Sequence, residues 1–177
     1  YANFDLNLNR LRINPGVRVD YFRYLYQDEL TPEYDPNSLT AAVVSPKLNF
    51  IYTASDQVQV FLKTGIGFHS NDTRLVLERP NNEQILPQAF GADIGGNFKL
   101  APRLLLNAAL WYLRLEQEFV YVGDAGIVEP SGRTARRGVD VGIRWQAIDW
   151  LYFDSDFTYS YARSIDDPEG ENLIPLA

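Results

Sequence analysis

Leu104-Leu105-Leu106-Asn107-Ala108-Ala109-Leu110-Trp111-Tyr112-Leu113-Arg114-Leu115-Glu116-Gln117-Glu118-Phe119-Val120-Tyr121 is the stretch on which the fold turns. Its odd positions read Leu105, Asn107, Ala109, Trp111, Leu113, Leu115, Gln117, Phe119 and Tyr121, while Tyr112, Arg114, Glu116 and Glu118 stand among the even ones. Side chains on an extended chain alternate between two faces, so a period of two sustained over this length predicts a strand. Strands of soluble sheets typically run to five or six residues; one this long suits a bilayer crossed at a tilt, which needs about nine to eleven.

The same alternation recurs on both sides. Val58, Val60, Leu62, Thr64, Ile66 and Phe68 are set against Gln57, Gln59, Phe61, Lys63, Gly65 and Gly67. Eight strands are expected, at about 1–8, 12–26, 43–53, 57–68, 88–100, 103–121, 135–146 and 150–163, and no helix. Short connections (Asn9-Arg10, Ala54-Ser55-Asp56, Ala101-Pro102, Ala147-Ile148-Asp149) alternate with long polar ones at 27–42, 69–87, 122–134 and from 164 onward. Short turns on one rim and long loops on the other describe an antiparallel up-and-down β-barrel of the outer-membrane kind. Pro15 and Pro46 interrupt this pattern, because proline removes a ladder donor; a bulge or local break is expected at Pro46.

Charge is distributed as a bilayer would require. The stripes Val44, Leu48, Phe50, Tyr52; Phe90, Ala92, Ile94, Phe98; Val139, Val141, Ile143, Trp145; and Leu151, Phe153, Phe157, Tyr159 hold no acid or base. A mid-membrane Lys or Arg there would cost about 2–4 kcal/mol. Arg23 and Arg163, near the loop ends, are the exceptions, and both are long enough to snorkel. The opposite face carries Asp5, Arg18, Asp20, Lys47, Lys63, Asp93, Lys99, Arg114, Glu116, Glu118, Asp140, Arg144, Asp154 and Asp156, and needs water. Aromatics gather at both ends: Tyr52, Phe98, Trp145 and Trp150 by the short turns, Tyr26, Phe68, Phe119, Tyr121, Tyr159 and Tyr161 by the long loops. The competing fold is a soluble sandwich, in which the apolar stripes would form a dry centre.

Composition narrows the function. A net charge of −7 excludes a nucleic-acid partner, since phosphate binding needs clustered Lys and Arg. With no Cys and one His, the 177 residues offer no disulfide, no thiolate metal site and little to hold a transition metal. The loop acids Asp28-Glu29, Glu33 with Asp35, and Asp166-Asp167-Glu169-Glu171 lack the spaced ligands of a calcium loop, so no metal and no cofactor is expected. His69, Ser70 and Asp72 are neighbours in an extended segment, not a converging triad, and no nucleophile-elbow sequence surrounds Ser70; no catalytic residue is assigned. The apolar run around Leu104–Leu113 is too short for a membrane helix, and there is no signal peptide.

If the short turns are periplasmic, both chain ends lie on the extracellular side, which predicts a fragment of a larger barrel. The stretch Ser45-Pro46-Lys47-Leu48-Asn49-Phe50-Ile51-Tyr52, then Val58 to Gly67, then Phe68-His69-Ser70-Asn71-Asp72, resembles the mid-to-late barrel of TonB-dependent outer-membrane receptors. The run Tyr121-Val122-Gly123-Asp124-Ala125-Gly126, Glu129-Pro130-Ser131-Gly132-Arg133-Thr134 and Arg137-Gly138-Val139-Asp140 is similar to a loop and strand start of the same family. The resemblance covers nearly the whole chain and rests on strand pattern. It implies a partial barrel domain over 1–177, without a plug domain, from a barrel of the 22-stranded class.

By that resemblance the chain is barrel wall for ligand-gated import of iron-siderophore, cobalamin, haem or a glycan. Its partners would be outer-membrane lipid, a small molecule such as a metal chelate, and TonB and the plug through the rest of the parent protein. Ligand contacts would fall to His69, Asn71, Asp72, Arg74, Arg133 and Arg136 in the loops and upper lumen. The charges Arg114, Glu116, Glu118, Asp140, Arg144, Asp154 and Asp156 are expected to face the lumen and pair across the ladder, or to meet the plug. The alternative is a complete eight-stranded barrel with a structural or adhesive role.

Overall fold

A computed structural model describes residues 1–26, 37–69, 86–117, 119–122, 127–130, 132–170 and 172–174. Eleven strands occupy them: β1 (Ala2–Asn3), β2 (Leu6–Leu8), β3 (Leu11–Tyr26), β4 (Asn37–Ser55), β5 (Val58–Phe68), β6 (Gln88–Ala101), β7 (Leu104–Leu115), β8 (Phe119–Val122), β9 (Ile127–Pro130), β10 (Thr134–Ile148) and β11 (Leu151–Ser164). Nine form one antiparallel sheet in the order β1-β3-β4-β5-β6-β7-β10-β11, with β2 also on β3. Apart from the separate β8–β9 hairpin, the strands follow one another across the sheet in chain order, the up-and-down order the sequence predicts. The sheet is open: its outer members β1–β2 and β11 do not pair with each other, so the eight-stranded closed barrel is not what these residues form. Leu173 instead lies antiparallel against Arg163 on the free edge of β11.

The expected strand at 1–8 is split at Phe4-Asp5 into β1 and β2, the expected loop 122–134 contains β9, and two strand boundaries differ from the sequence reading by more than two residues. β4 begins at Asn37, not 43, because Ser38 to Ala42 continue the ladder opposite Leu25 to Tyr21. The strand expected to reach Tyr121 stops at Leu115, where its neighbours also stop; beyond the rim β8 can only pair with β9. Pro15 stays in register opposite Leu48. Pro46 keeps its place opposite Val17, but pairing to β5 ends one residue away at Lys47 and Gly65, so the expected break occurs on that side alone. Through the gap Phe68 turns edge-on against Phe22, at 5.6 Å between ring centres, instead of joining an outer girdle.

The short-turn rim repeats one device. Before the turns Asp56-Gln57, Pro102-Arg103 and Asp149-Trp150 the register slips by one residue, leaving Ala54, Leu100 and Ala147 bulged. Each such bulge tightens the local twist that a curling sheet needs. Asn9, in the remaining turn, has φ 54°, a left-handed conformation asparagine tolerates better than most residues. Successive turns are stitched together: the amides of Thr53, Lys99 and Gln146 donate to the carbonyls of Arg10, Gln57 and Arg103 at 2.8, 2.8 and 2.9 Å. The Arg10 guanidinium also donates to the Ala54 carbonyl at 3.1 Å, and Arg103 pairs with Asp149 at 2.5 Å.

Register fixes which side chains share a face. Ile94 stands opposite Leu62 and Leu110, and Leu110 opposite Val139, which stands opposite Tyr159. This apolar face is open: Val19, Ile94, Leu110 and Phe157 are each about 60% exposed. The stripes therefore do not pack into a dry centre, and the sandwich is excluded. On the other face one hollow of about 400 Å³ is lined from Ile51 on β4 to Asp156 on β11, with Lys63, Asn107 and Arg144 between. Strands that far apart can share a hollow only if the sheet curls toward that face. The ionic face is thus concave and inner, the apolar face convex and outer.

Candidate functional site

The inner wall is built from every second residue of the adjacent strands β3 to β7, β10 and β11. On β10 and β11, Arg144 and Asp154 are register partners and pair at 3.3 Å, both well exposed. Asp156 lies opposite Gly142, whose missing side chain leaves room for the carboxylate: a Cβ there would stand 2.9 Å from it. Asp140 and Asp156 make no ion pair among the described residues, and neither do Lys63 and Asp93, although these two are register partners. The Lys63 ammonium instead lies 4.3 Å from the centre of the Phe61 ring. Amides fill the spaces, with Asn97 donating to Gln59 at 3.4 Å and Asn49 to Asn14 at 3.2 Å. Such a wall offers separated charges of both signs plus neutral donors and acceptors, a surface for polar solutes or a polar protein face. Its exposed pairs are worth little individually, since solvent screens them.

Structure corrects one part of the expected band. Arg114 does not face inward: its register partners are Phe90 and Ala135, on the convex face. It pairs at 3.0 Å with Glu116, just beyond the end of its strand. The odd stripe of β7, including Asn107, Ala109 and Trp111, is the inner one, opposite Asn97, Gly95 and Asp93. The cause is that β7 has leucines on both stripes, so alternation alone could not orient it. Glu118 lies outside the described residues.

Among the candidate ligand contacts, Asn71, Asp72 and Arg74 lie outside the described residues. His69 follows β5, half-buried, with its ring Nε2 3.2 Å from the Gln117 carbonyl and its amide donating to Pro87 at 3.3 Å. Arg136 is on the inner face of β10, between Leu113 and Ala162. Arg133 is already engaged: its amide and Nε donate to the Asp166 carboxylate at 2.7 and 2.9 Å, while the Ile165 amide returns to the Arg133 carbonyl at 2.8 Å. This clasp joins the entry to β10 with the exit from β11. Nothing in the sequence separation pointed to it.

The clasp has a pH signature. The hydrogen bonds from the Arg133 side chain, then its amide, hold the Asp166 carboxyl below its ordinary value of 3.8, and the same pairing raises the guanidinium. A carboxyl lowered by folding contributes stability that is complete above the unfolded value and is lost as pH falls through the folded one. Hydrogen-exchange protection of the Ile165 amide is therefore expected to stay level from pH 8 to about 5 and to decline only below about 4. In Asp166→Asn it should be low across the range. Protection that falls between pH 7 and 5 in the unaltered protein would contradict this assignment.

Comparison with known proteins adds the decisive observation. The sequence model of the family described as TonB dependent receptor-like, beta-barrel, matches residues 1–175. The chain belongs to the TonB-dependent receptor family. Members of this family are outer-membrane transporters, not enzymes. Solved structures of such receptors share the fold. The ferric yersiniabactin uptake receptor FyuA from Yersinia pestis aligns with a TM-score of 0.69 at 16% identity, over 94% of this chain and 27% of that one. The siderophore receptor PiuA from Acinetobacter baumannii gives 0.67 at 13%, over 87% and 23%. The copper transporter OprC gives 0.67 at 12%, over 89% and 26%. This TonB-dependent receptor chain spans about a quarter of the length of each. No curated protein sequence matches it.

Proposed function

We propose that this chain forms part of the wall of a larger closed barrel, of the plugged 22-stranded class, through which a scarce nutrient such as a metal chelate is imported. TonB would supply the energy by acting on a plug domain carried elsewhere in the parent protein. The observation that supports this most is the concave, polar, mixed-charge wall in a chain of this family. A plug needs such a wet, hydrogen-bonding inner surface, because a dry apolar lumen would hold it too tightly to be moved. The ligands of the similar structures, siderophores for two and copper for the third, favour siderophores or copper over cobalamin, haem or glycans.

Of the candidate ligand contacts, Arg136 and His69 keep that role, at the extracellular end of the inner wall. Arg133 is assigned instead to the clasp with Asp166. Deleting the parent gene should abolish growth on one nutrient in a panel of ferric chelates, copper, haem, cobalamin and glycans, each supplied as the limiting source. Inactivating TonB should reproduce the defect. Arg136→Ala should raise the required nutrient concentration on the order of tenfold, as expected for losing one charged hydrogen bond, with the barrel still assembled. Undiminished growth of the deletion strain on every nutrient would refute the reading.

A further inference from the structure

Among the described residues the convex face carries no acid or base across its middle, yet four arginines stand on it at the loop end: Arg23, Arg114, Arg137 and Arg163. Three are clustered. Arg114 and Arg163 flank Ala135 from either side of β10, roughly 10 Å apart for two strand spacings, and Arg137 sits between them one side-chain repeat nearer the membrane centre. Arg114 is held by Glu116. The other two have no carboxylate partner among the described residues, in a chain of net charge −7. Both lie over the ring of Tyr161, at 5.3 Å for Arg137 and 4.9 Å for Arg163, and Arg163 Nε donates to its hydroxyl. An aromatic face orients a guanidinium plane without neutralising it, leaving outward N–H groups unused.

Immediately below, an outward-opening groove of about 530 Å³ runs over Leu110, Val139 and Tyr159, with Arg137 and Tyr161 at its upper end. Charge above and a lipid-facing apolar trough below match one kind of molecule. We propose that Arg137 and Arg163 bind the phosphate of a phosphorylated lipid in the outer leaflet, with an acyl chain lying in this groove. Guanidinium forks meet phosphate oxygens two at a time, which selects phosphate over a zwitterionic surface where the two charges offset. Simple snorkelling toward water would need neither the shared ring nor the groove, and would show no preference among headgroups. The proposal rests on the face assignment and is independent of what the receptor imports.

The test uses the full-length receptor in phosphatidylcholine nanodiscs doped with phosphatidic acid or with diacylglycerol of the same chains, followed by native mass spectrometry of retained lipid. Phosphatidic acid should be retained preferentially. Its retention should fall on the order of tenfold in Arg137→Gln/Arg163→Gln and remain unchanged in Arg23→Gln, whose arginine lies far across the sheet. Should the double variant fail to assemble, Val139→Trp, which fills the groove and keeps both arginines, must lower retention. Equal retention of the two lipids, or a double variant no weaker than Arg23→Gln, overturns the proposal. Displacement of the lipid by inorganic phosphate as effectively as by short-chain phosphatidic acid overturns the groove's part in it.

Discussion

Leu110→Arg is expected to block assembly of this receptor in the outer membrane, whereas Asn107→Arg on the same strand should be tolerated. β7 runs from Leu104 at the short-turn rim to Leu115 at the loop rim, so Leu110 lies in the middle third of the crossing and Asn107 directly beside that third. Register places Leu110 beside Ile94 and Val139 on the convex face, where it is 60% exposed, and Asn107 beside Asn97 and Gly142 on the concave one. An arginine at mid-depth against lipid costs about 2–4 kcal/mol, an appreciable part of the stability of an ordinary domain. At 107 the same side chain would enter water beside Asp140 and Asp156, which lack cationic partners among the described residues. The measurement is the heat-modifiable folded band of each variant in purified outer membranes. Equal loss in both, or a folded Leu110→Arg, would show that the faces have been exchanged. The pair of variants is chosen on β7 because this is the strand whose own sequence points the other way.

That strand marks the limit of what the sequence could show. Strand positions and the up-and-down order were legible because stripes such as Val139, Val141, Ile143 and Trp145 contain no charge, while Asp140 and Arg144 alternate with them. β7 carries Leu104, Leu106 and Leu110 on one face and Leu105, Leu113 and Leu115 on the other, so its orientation depended on register with β6 and β10. Arg114 was misassigned for that reason. Phe68 was misassigned because the loss of pairing at Pro46 frees the top of β5 to turn inward. The Arg133–Asp166 clasp was invisible for another reason: it joins groups 33 residues apart outside any ladder, where neither period nor spacing constrains the geometry. For the candidate ligand contacts, sequence gave plausible chemistry at the loop end, but only geometry separates Arg136 on the inner wall from Arg133 in the clasp.

Gly138→Ala is the second substitution with a large expected effect, and its sign is opposite to that of Gly91→Ala. Gly138 faces inward opposite Trp111 and Ser160. A Cβ there would stand 2.3 Å from the Tyr159 carbonyl oxygen and 2.4 Å from Trp111 Cζ2. The indole could swing aside, but the carbonyl belongs to the β11 backbone, which cannot retreat without disturbing the ladder between Val139 and Tyr159. Overpacking of this kind costs about 1–3 kcal/mol. A large ring laid over a strand glycine also covers backbone that glycine leaves bare, a contact the shifted indole would lose. Gly91 faces the same interior, and nothing lies within 4 Å of where its Cβ would be. Alanine there restricts the unfolded chain without a native clash and should stabilise by about 0.4–1 kcal/mol. Urea unfolding of the full-length receptor in lipid vesicles should therefore give a lower midpoint for Gly138→Ala and an unchanged or higher one for Gly91→Ala. Adding Trp111→Ala to Gly138→Ala should not restore the midpoint, because the backbone contact remains. Full restoration would assign the clash to the indole alone and release β11 from the argument.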